Sequence, residues 1–525
     1  MPTYITQPGV GAVTRTLDAK IAETRSAEDY GAAGTGLGDD GPALQNALDS
    51  LSDGGSPAVT GGAIKAIGRY RVATLVNLPE ATSLVGDDLN PEQQTIGVSI
   101  LDRFSLLRVA TVTALALGRG AAVERMSIVQ DKLASHQPPA SNDDCTALLA
   151  DYDGVPIAAN RTGVTVRDAF LAGFNTCINA NMEPPAGGVG IAGGRVNFIN
   201  LHLDGKNGIY LKESKDIARI VDVHFWPFTT AHVPGVSAVN LQRSGTALYL
   251  KGTNEFTYIE RFFSFGANIG MVFDGSNDVF ASNCQIDYTN PNTNNVCGVD
   301  IINGSYGIHL INLHTEAQRV GVRINSANAD EVVANIRGGR IVATDIGVDI
   351  QNGATVIDGT IFRSAAIKIK IGAISDNVTV INPVFDGEGV AIQIDAGFTG
   401  RCKIDLGLPC TGTPTFSIPD ALIASGRVTI HDPFNYTGKA GTSAQTVRNA
   451  AKISVGGAAL AAPIFGIIQA SSASGAPNIG FWNGAGATGK RLGDLYFDGR
   501  YFVARRLSDD GLTVLGAVTL ADTGV

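Results

Sequence analysis

Gly298-Val-Asp-Ile301 is followed by Gly321-Val-Arg-Ile324 and then by Gly347-Val-Asp-Ile350. Each segment places a small residue before a short alternation of apolar and polar side chains, as in a strand with one buried face. From Ala247 onward, related segments recur every 19 to 28 residues: Ala247-Leu-Tyr-Leu250, Gly270-Met-Val-Phe273, Ala366-Ile-Lys-Ile369 and Val390-Ala-Ile-Gln-Ile394. A coil of three short strands and three turns needs about that many residues, and such coils bury their apolar faces only by stacking. The repeat predicts an all-β solenoid, a single-stranded parallel β-helix.

The composition agrees with a β-rich fold. The chain has 525 residues, of which 64 are glycine, 44% are apolar and 17% are charged. A disordered chain would carry more charge, and a collagen would need a strict three-residue glycine period. A helical bundle would avoid glycine, which costs about 1 kcal/mol per helical site relative to alanine. We interpret many of the glycines as tight corners between coils, where the absence of a Cβ helps.

Charge and cysteine content argue against several partners. The formal net charge is −10 and the pI is near 5.2, which is a poor balance for binding nucleic acid or an anionic membrane. The longest uncharged stretch is interrupted by glycine and proline, so we predict no membrane insertion, and the N-terminus shows no signal peptide. The six cysteines form no CxxC pair. Buried thiols are therefore favoured over a zinc site, and we predict neither a metal nor a cofactor.

The segment from Asp29 to Gly86 contains several short motifs in a fixed order. They are Asp29-Tyr-Gly-Ala-Ala-Gly-Thr-Gly-Leu-Gly-Asp-Asp40, Gly61-Gly-Ala-Ile64, Gly68-Arg-Tyr70 and Leu84-Val-Gly86. A helix is predicted after the first motif, with Asp39 or Asp40 as its cap, Pro42 in its first turn and an apolar stripe of Leu44, Ala47, Leu48 and Leu51. The glycines lack the GK[ST] sequence of a phosphate-binding loop. The order of motifs resembles the first segment of the pectate-lyase-like superfamily of right-handed parallel β-helices.

The arm before this segment contains Val13-Thr-Arg-Thr-Leu-Asp-Ala-Lys-Ile-Ala-Glu-Thr-Arg25. This stretch looks like the lead-in of bacteriophage tailspikes. It includes a helix predicted from Leu17 to Arg25. The resemblance implies a tailspike or receptor-binding depolymerase, located in the phage tail and made in the host cytoplasm. It divides the chain into an arm (1–28) that attaches to a tail or baseplate adaptor, a β-helix (29–428) whose first part (29–86) is a cap, and a β-rich region (429–525). In such proteins the last region holds a homotrimer together. Here, residues 493–503 predict a hairpin with an Asp-Gly turn.

Outward side chains on successive coils should form columns, because stacked coils lie about 4.8 Å apart. Ile199-Asn-Leu-His-Leu-Asp204 and Ile311-Asn-Leu-His-Thr-Glu316 align without gaps, and the strands between them follow nearly the same register. The first predicted column is Asn200, Asp222, Arg261, Asn283, Asn312 and Asn335. The second is His202, His224, Phe263, Gln285, His314 and Arg337. The third is Asp204, Trp226, Phe265, Asp287, Glu316 and Gly339, with Arg340 beside it. We interpret the first column as structural, because stacked amides hydrogen-bond to one another.

The third column supplies the candidate catalytic residues Asp287, Glu316 and Asp204. Two carboxyl groups on neighbouring coils would raise the pKa of one and leave the other ionised, which is the division of labour that glycoside hydrolysis needs. We expect Glu316 to be the acid and Asp287 the base or nucleophile, and these roles could be exchanged. A separation near one coil would match a retaining pair, and diagonal partners an inverting pair. The alternative is that solvated carboxylates decorate the surface.

The candidate substrate-binding residues are His224, Trp226, Phe265, His314 and Arg340. Aromatic side chains on an outward segment would provide apolar surfaces for sugar rings. The same side chains would also suit a packed loop or a trimer interface, and the histidines would also suit an ordinary surface. The column spacing does not match a three-ligand metal site, and no Gly-x-Ser-x-Gly or Cys/His nucleophile pattern is present.

Four functions remain open from the sequence. The favoured one is endo-glycoside hydrolysis of a bacterial surface polysaccharide, either a capsule or an O-antigen, a substrate class that the tailspike resemblance implies. The second is β-elimination on a uronic-acid polymer, with His314 or Arg340 abstracting or stabilising. The third is a glycan-binding adhesin of the virion without catalysis. The fourth is a structural virion component, which the outward aromatic residues disfavour.

Overall fold

The structure is a computed structural model of the chain. It describes residues 4–5, 15–16, 25–51, 61–87, 106–135, 141, 143, 149–183, 195–231, 235, 241–288, 297–328, 331–363, 365–406, 415–432, 465–469, 478–483, 490–497, 501–507 and 514–522. Helices are short in this part of the chain. They are a 3-10 helix at Glu28–Tyr30 and the α-helices α1 Gly41–Asp49, α2 Asp131–Ser135 and α3 Asp420–Ala424.

Strands make up most of the regular structure. The first strands are β1 Tyr4–Ile5, β2 Arg15–Thr16, β3 Arg25–Ser26, β4 Thr35–Asp39, β5 Gly62–Lys65, β6 Arg69–Val72, β7 Val76–Leu78, β8 Thr82–Val85, β9 Leu106–Val109, β10 Leu115–Leu117, β11 Ala122–Glu124, β12 Ser127–Gln130 and β13 Ile157–Ala159. The central strands are β14 Thr165–Asn181, β15 Asn197–Lys212, β16 Ala218–Phe225, β17 Arg243–Lys251, β18 Thr257–Phe265, β19 Ala267–Asp274, β20 Asn277–Ser282, β21 Gln285–Asp287, β22 Cys297–Ile302, β23 Tyr306–Ile311, β24 His314–Asn325, β25 Val332–Arg337 and β26 Arg340–Asn352. The last strands are β27 Ala354–Asp358, β28 Ile361–Arg363, β29 Ile367–Ile374, β30 Val378–Ile381, β31 Val384–Asp386, β32 Val390–Ile394, β33 Cys402–Asp405, β34 Thr415–Ser417, β35 Val428–His431, β36 Phe465–Gln469, β37 Asn478–Asn483, β38 Lys490–Phe497, β39 Tyr501–Leu507 and β40 Val514–Asp522.

Strands β3 to β35 form three parallel sheets that share the same coils. Sheet 1 stacks β3, β5, β8, β11, β14, β15, β16, β18, β20, β23, β25, β27, β30, β33 and β35. Sheet 2 stacks β4, β6, β9, β12, β14, β15, β16, β18, β21, β24, β26, β28 and β31. Sheet 3 stacks β7, β10, β13, β14, β15, β17, β19, β22, β24, β26, β29, β32 and β34. Long strands such as β15 bend through several sheets, and β15 pairs with β16 in sheets 1 and 2 but with β17 in sheet 3. The predicted parallel β-helix is confirmed.

The corner between sheet 1 and sheet 2 is a left-handed residue that recurs coil after coil. Its φ angle is 52° at Asn200, 55° at Asp222, 52° at Arg261, 53° at Asn283 and 56° at Asn312. Asn and Asp tolerate this region better than most residues. The amide of Asn312 donates from Nδ2 to Oδ1 of Asn283 at 2.8 Å, so the column is tied together by its own side chains. The next left-handed corner is Gly338, at 62°, and not Asn335 as predicted.

The small residues that begin each strand of sheet 3 also form a column, but for a different reason from the one predicted. Gly298 and Gly321 do not have a positive φ. A Cβ added to Gly298 would lie 2.6 Å from the carbonyl oxygen of Gly321, and one added to Gly321 would lie 2.6 Å from that of Gly347. Glycine is therefore needed for the close approach of coils rather than for a tight turn. After Gly347 the column continues with Lys368 and not with Ala366, because Val348 pairs with Ile369.

The interior of the coils is filled by aliphatic and phenylalanine side chains. Fully buried rings include Phe198, Phe225, Phe262, Phe273, Phe362 and Phe385. Burying a side chain of this size contributes about 1.5–3 kcal/mol to stability relative to leaving it exposed. One continuous core therefore runs along the stacked coils, as the repeat predicted.

Helix α1 packs against β5 and β7, among the first strands of the β-helix. Helix α1 has Pro42 in its first turn and buries Leu44, Ala47 and Leu48, as predicted. Asp40 occupies the position before the helix, but its carboxylate accepts the backbone N–H groups of Ala33 at 2.7 Å and Arg71 at 3.2 Å. Asp39 takes over the cap, because its Oδ1 accepts the first backbone N–H of α1 at 3.0 Å.

The C-terminal strands β36 to β40 form a separate antiparallel sheet. Within it β38 pairs with β39, and Phe497 lies opposite Phe502, which confirms the predicted hairpin. Its Asp-Gly turn lies outside the described residues. The helix predicted from Leu17 to Arg25 also lies outside them up to residue 24, and Arg25 belongs to β3.

Candidate active site

The outer face of sheet 2 brings the predicted site residues together. In this sheet His202 pairs with His224, which pairs with Phe263, and that column continues through Gln285 to His314. Two residues further along each strand, Phe265 pairs with Asp287, and Asp287 pairs with Glu316. Residues two apart in a strand point to the same side. Both columns therefore border one surface, and the predicted register is confirmed for these coils.

The next coil departs from the predicted register. Arg340 pairs with His314, so it enters the second column directly instead of standing beside the third. Arg337 pairs with Ile311 in sheet 1, and Asn335 pairs with His309. The predicted column positions of Asn335, Arg337, Gly339 and Arg340 were therefore wrong. The physical reason is that the left-handed corner of this coil falls on Gly338, three residues later than the alignment assumed (338 − 335).

Asp287 is half-buried at the end of β21. Its Oδ2 accepts a hydrogen bond from Gln285 Nε2 at 2.7 Å, whereas its Oδ1 is buried and has no hydrogen-bond partner among the described residues. Burial is the largest influence and raises the pKa of this carboxyl. The hydrogen bond from Gln285 and the charges of His314 and Arg340 oppose this effect, and the charge of Glu316 adds to it. The surroundings of Asp287 favour its protonated form.

Glu316 lies in the adjacent coil and is paired with a cation. Its Oε2 accepts a hydrogen bond from Arg340 Nη2 at 2.9 Å, and its side chain is 42% exposed. Arg340 Nη2 also lies 2.8 Å from His314 Nε2. The same ring nitrogen lies 3.2 Å from Oε2 of Glu316, so Arg340, His314 and Glu316 form one cluster of polar contacts. Glu316 is thus held by a cation, whereas one oxygen of the Asp287 carboxyl is buried without a hydrogen-bond partner among the described residues.

Half-buried aromatic side chains lie next to this pair. The ring centroids of Trp226 and Phe265 are 6.5 Å apart, and those of Trp226 and Phe228 are 5.2 Å apart. His224 lies 4.8 Å from Phe263 and 6.0 Å from Trp226. The planes of these ring pairs are inclined by 39° to 84°, and tilted or edge-to-face rings make favourable aromatic contacts. The cluster is therefore packed into the face of sheet 2, with part of each ring open beside the carboxyl groups.

Asp204 does not belong to this open surface. Its side chain is 0% exposed and its Oδ1 lies 2.7 Å from Nη2 of Arg243, which is 1% exposed. Its Oδ2 accepts the backbone N–H of Thr229 at 2.8 Å and the hydroxyl of the same residue at 2.6 Å. Tyr152 closes the network, with its hydroxyl 2.6 Å from Thr229 Oγ1. Both carboxylate oxygens of Asp204 are hydrogen-bonded, and solvent does not reach them. Asp204 is therefore a structural residue and not a catalytic candidate.

Sequence reasoning did not identify the partners that differentiate the two carboxyl groups. The alignment puts Gln285 in the second column, but it does not predict the hydrogen bond from Gln285 to Asp287. It also does not predict the ion pair between Arg340 and Glu316. The usable signal was the spacing of two residues between Gln285 and Asp287 and between His314 and Glu316, because such pairs share one side of a strand. A stacked column of Tyr258, Phe280 and His309 on sheet 1 was also missed.

Two kinds of site do not appear in the described part of the chain. No group of three or more His, Cys, Asp or Glu side chains is arranged to hold a metal ion among the residues that the structure describes. Within the same residues, no helix has the length and apolar character needed to cross a membrane.

Comparison with known proteins gives structural likenesses only. No protein-family model matches the chain, and no curated protein matches its sequence. A tailspike protein of E. coli bacteriophage HK620 is similar with a TM-score of 0.41 and 10% identity, covering 82% of this chain and 78% of that one. PfbA, a surface adhesin of Streptococcus pneumoniae, has a TM-score of 0.37 and 13% identity over 75% of this chain and 92% of that one. A GH87 alpha-1,3-glucanase from Streptomyces thermodiastaticus has a TM-score of 0.34 and 14% identity over 78% and 68%.

Proposed function

We propose that the protein binds and shortens a bacterial surface polysaccharide, either a capsule or an O-antigen, by endo-glycoside hydrolysis. The observation that carries the proposal is the contrast between Asp287 and Glu316 on paired positions of neighbouring coils. Burial raises the pKa of Asp287, and Glu316 is bonded to Arg340. A protonated carboxyl next to a carboxylate is the pair that glycoside hydrolysis uses.

The surroundings of the two carboxyl groups support the reverse of the roles first expected. Asp287 is the general acid that protonates the leaving oxygen, and Glu316 is the nucleophile or the base that activates water. The coil spacing of about 4.8 Å is near the separation of about 5 Å in retaining enzymes, so we propose retention through attack by Glu316. Arg340 and His314 orient Glu316, while Trp226 and Phe265 contact the sugar.

The biological context is proposed from the sequence resemblance and the β-helix. In this proposal the chain is a homotrimeric tailspike of a phage tail, and residues 1–28 contact a tail or baseplate adaptor. The last region, 429–525, joins the three copies. A monomeric mass in light scattering of the full chain would contradict the trimer.

Digestion of purified bacterial polysaccharides by the full chain tests the activity. Hydrolysis predicts new reducing ends and shorter chains, without absorbance from an unsaturated sugar. Such absorbance would instead indicate β-elimination. Binding of a polysaccharide without any shortening would contradict hydrolysis and support the adhesin function.

A further inference from the structure

A groove on the outer face of sheet 3 combines amide, hydroxyl and aromatic side chains. It encloses about 650 Å³ and is lined by residues of β14, β15 and β17. The register places Asn179, Tyr210 and Tyr249 in one column, with Thr176 and Asn207 paired beside the first two. At the coil spacing of about 4.8 Å, three coils extend about 10 Å along the axis. The groove is thus long enough for a short oligosaccharide.

The groove carries no uncompensated charge. Lys212 is the charged residue among its described lining residues, and its ammonium group forms an ion pair with the carboxylate of Glu183. Tyr249 is held as a neutral phenol, because burial raises its pKa and its hydroxyl donates to Oδ2 of Asp274 at 2.6 Å. A charged ligand would find no opposite charge here, so the surface suits an uncharged one.

Unused hydrogen-bonding capacity is found at one end of the groove, in β14. Oδ1 of Asn179 is buried and has no hydrogen-bond partner among the described residues. A buried polar atom left in this state costs about 1–3 kcal/mol. Asn207, in contrast, is already used, because its Nδ2 donates to the carbonyl oxygen of Asn175 at 2.9 Å and its Oδ1 accepts the N–H of Thr246 at 2.9 Å. The free capacity therefore points to a ligand at Asn179.

The aromatic pair in the groove differs from the aromatic column on sheet 1. Tyr210 and Tyr249 meet edge to face, with centroids 5.4 Å apart and planes at 65°. The rings of Phe280 and His309 are parallel within 1° and cover each other's faces. An edge-to-face pair leaves part of a ring face open to the C–H groups of a sugar, whereas a parallel stack does not.

We infer that the sheet 3 groove is a second glycan site that binds a neutral saccharide without cutting it. Within β15 the groove begins at Asn207 on sheet 3, whereas His202 of the same strand lies on sheet 2. The carboxyl pair lies three and four coils away from β15, in β21 and β24, or about 14–19 Å along the axis. The groove contains no carboxyl group among its lining residues. This inference goes beyond the hydrolase proposal and does not depend on it.

Saturation-transfer NMR on the full chain tests the groove with defined sugars. The probes are D-glucose, D-galactose, L-rhamnose and N-acetyl-D-glucosamine, with D-glucuronic acid as the charged comparison. We expect transfer to at least one neutral sugar, reduced by about fivefold or more in Asn179→Leu and in Tyr210→Phe, because each variant removes hydrogen-bonding groups at similar volume. Thr379→Ala is the matched control, since it lies in another polar cavity of about 670 Å³ on the last coils.

The remaining outcomes separate this site from the catalytic face. Transfer that survives both groove variants but is lost in Asp287→Asn/Glu316→Gln would overturn the inference, because the sugar would then bind only at sheet 2. Transfer to glucuronic acid alone, or to none of the neutral sugars, would also overturn it. A change of oligomeric mass in the groove variants would show a contact between copies of the chain instead of a ligand site. None of these results would bear on whether the protein shortens a polysaccharide.

Discussion

Asp287 and Glu316 occupy directly paired positions on neighbouring coils and face the same surface, yet their oxygen atoms have opposite surroundings. Oδ1 of Asp287 is buried without a hydrogen-bond partner among the described residues. Oε2 of Glu316 accepts a hydrogen bond from Arg340 at 2.9 Å. The β-helix produces this contrast by stacking, because each coil contributes different neighbours to the same column.

Replacing Asp287 by Asn should remove the general acid. The amide keeps the shape of the side chain and its contact with Gln285, but it has no proton to give to the leaving oxygen. General acid catalysis contributes about 10²–10⁴-fold to rate, so kcat should fall by that factor with little change in KM. Release of reducing ends from the susceptible polysaccharide measures it. Activity above half of the wild-type value would remove Asp287 from the site.

The raised pKa of Asp287 also predicts a pH-dependent stability. A carboxyl whose folded pKa lies above its ordinary value of 3.8 stabilises the fold fully below 3.8, and this contribution is lost as the pH rises through the folded pKa. Asp287→Asn has no such titration. Its melting temperature, relative to the wild type, should therefore be higher at pH 7 than at pH 3. A difference that stays constant between these pH values would contradict the burial effect.

Glu316→Ala should reveal the stereochemical course. If Glu316 is the nucleophile of a retaining enzyme, its loss should lower kcat by several orders of magnitude, and added azide should restore turnover by attacking the anomeric carbon in its place. The product would be a glycosyl azide with inverted configuration, detectable by NMR. Arg340→Lys keeps a cation near Glu316 and should retain more activity than Arg340→Gln. Absence of azide rescue, together with an inverted product from the wild type, would make Glu316 the base of an inverting enzyme.

Trp226→Ala should weaken sugar binding more than it slows the reaction. Trp226 contacts Phe228 and Phe265 but lies one coil from Phe265 and two from Asp287, so it would bind the ground state and the transition state alike. We expect KM to rise by about tenfold, the equivalent of about 1.4 kcal/mol, with kcat nearly unchanged. Trp226→Phe preserves a ring and should have an intermediate effect. An equal fall in kcat would show that the indole acts in the transition state.

The coil register could be predicted from the sequence where a residue other than glycine occupies the left-handed corner. Asn200, Asn283 and Asn312 could be aligned because the left-handed corner selects Asn or Asp on successive coils. The alignment failed where that requirement was met by Gly338, since glycine accepts a positive φ at many places and marks none of them uniquely. Arg340 was therefore predicted beside the third column, whereas it lies in the second.

Burial was the part of the site that a repeat pattern could not reveal. In a strand, Asp204 has the same outward position as Asp287, and periodicity treats the two alike. Asp204 is covered because Tyr152 and Thr229, from segments distant along the chain, close over it. The segments that cover a coil's outer face follow no repeat, so the difference between a buried and an open carboxyl appeared only in three dimensions.

The burial of Asp204 predicts that its loss will damage stability rather than chemistry. Asp204→Ala would leave the buried guanidinium of Arg243 without its carboxylate, which costs about 3–5 kcal/mol. The paired variant Asp204→Leu/Arg243→Met removes both charges and should recover much of the loss. Thermal unfolding of the three proteins at pH 7 provides the measurement, with polysaccharide cleavage assayed well below the lowest melting temperature. The folded fraction of each variant should cut at a rate close to that of the wild type. A variant of normal stability that cuts about 10²-fold more slowly would instead return Asp204 to the catalytic group.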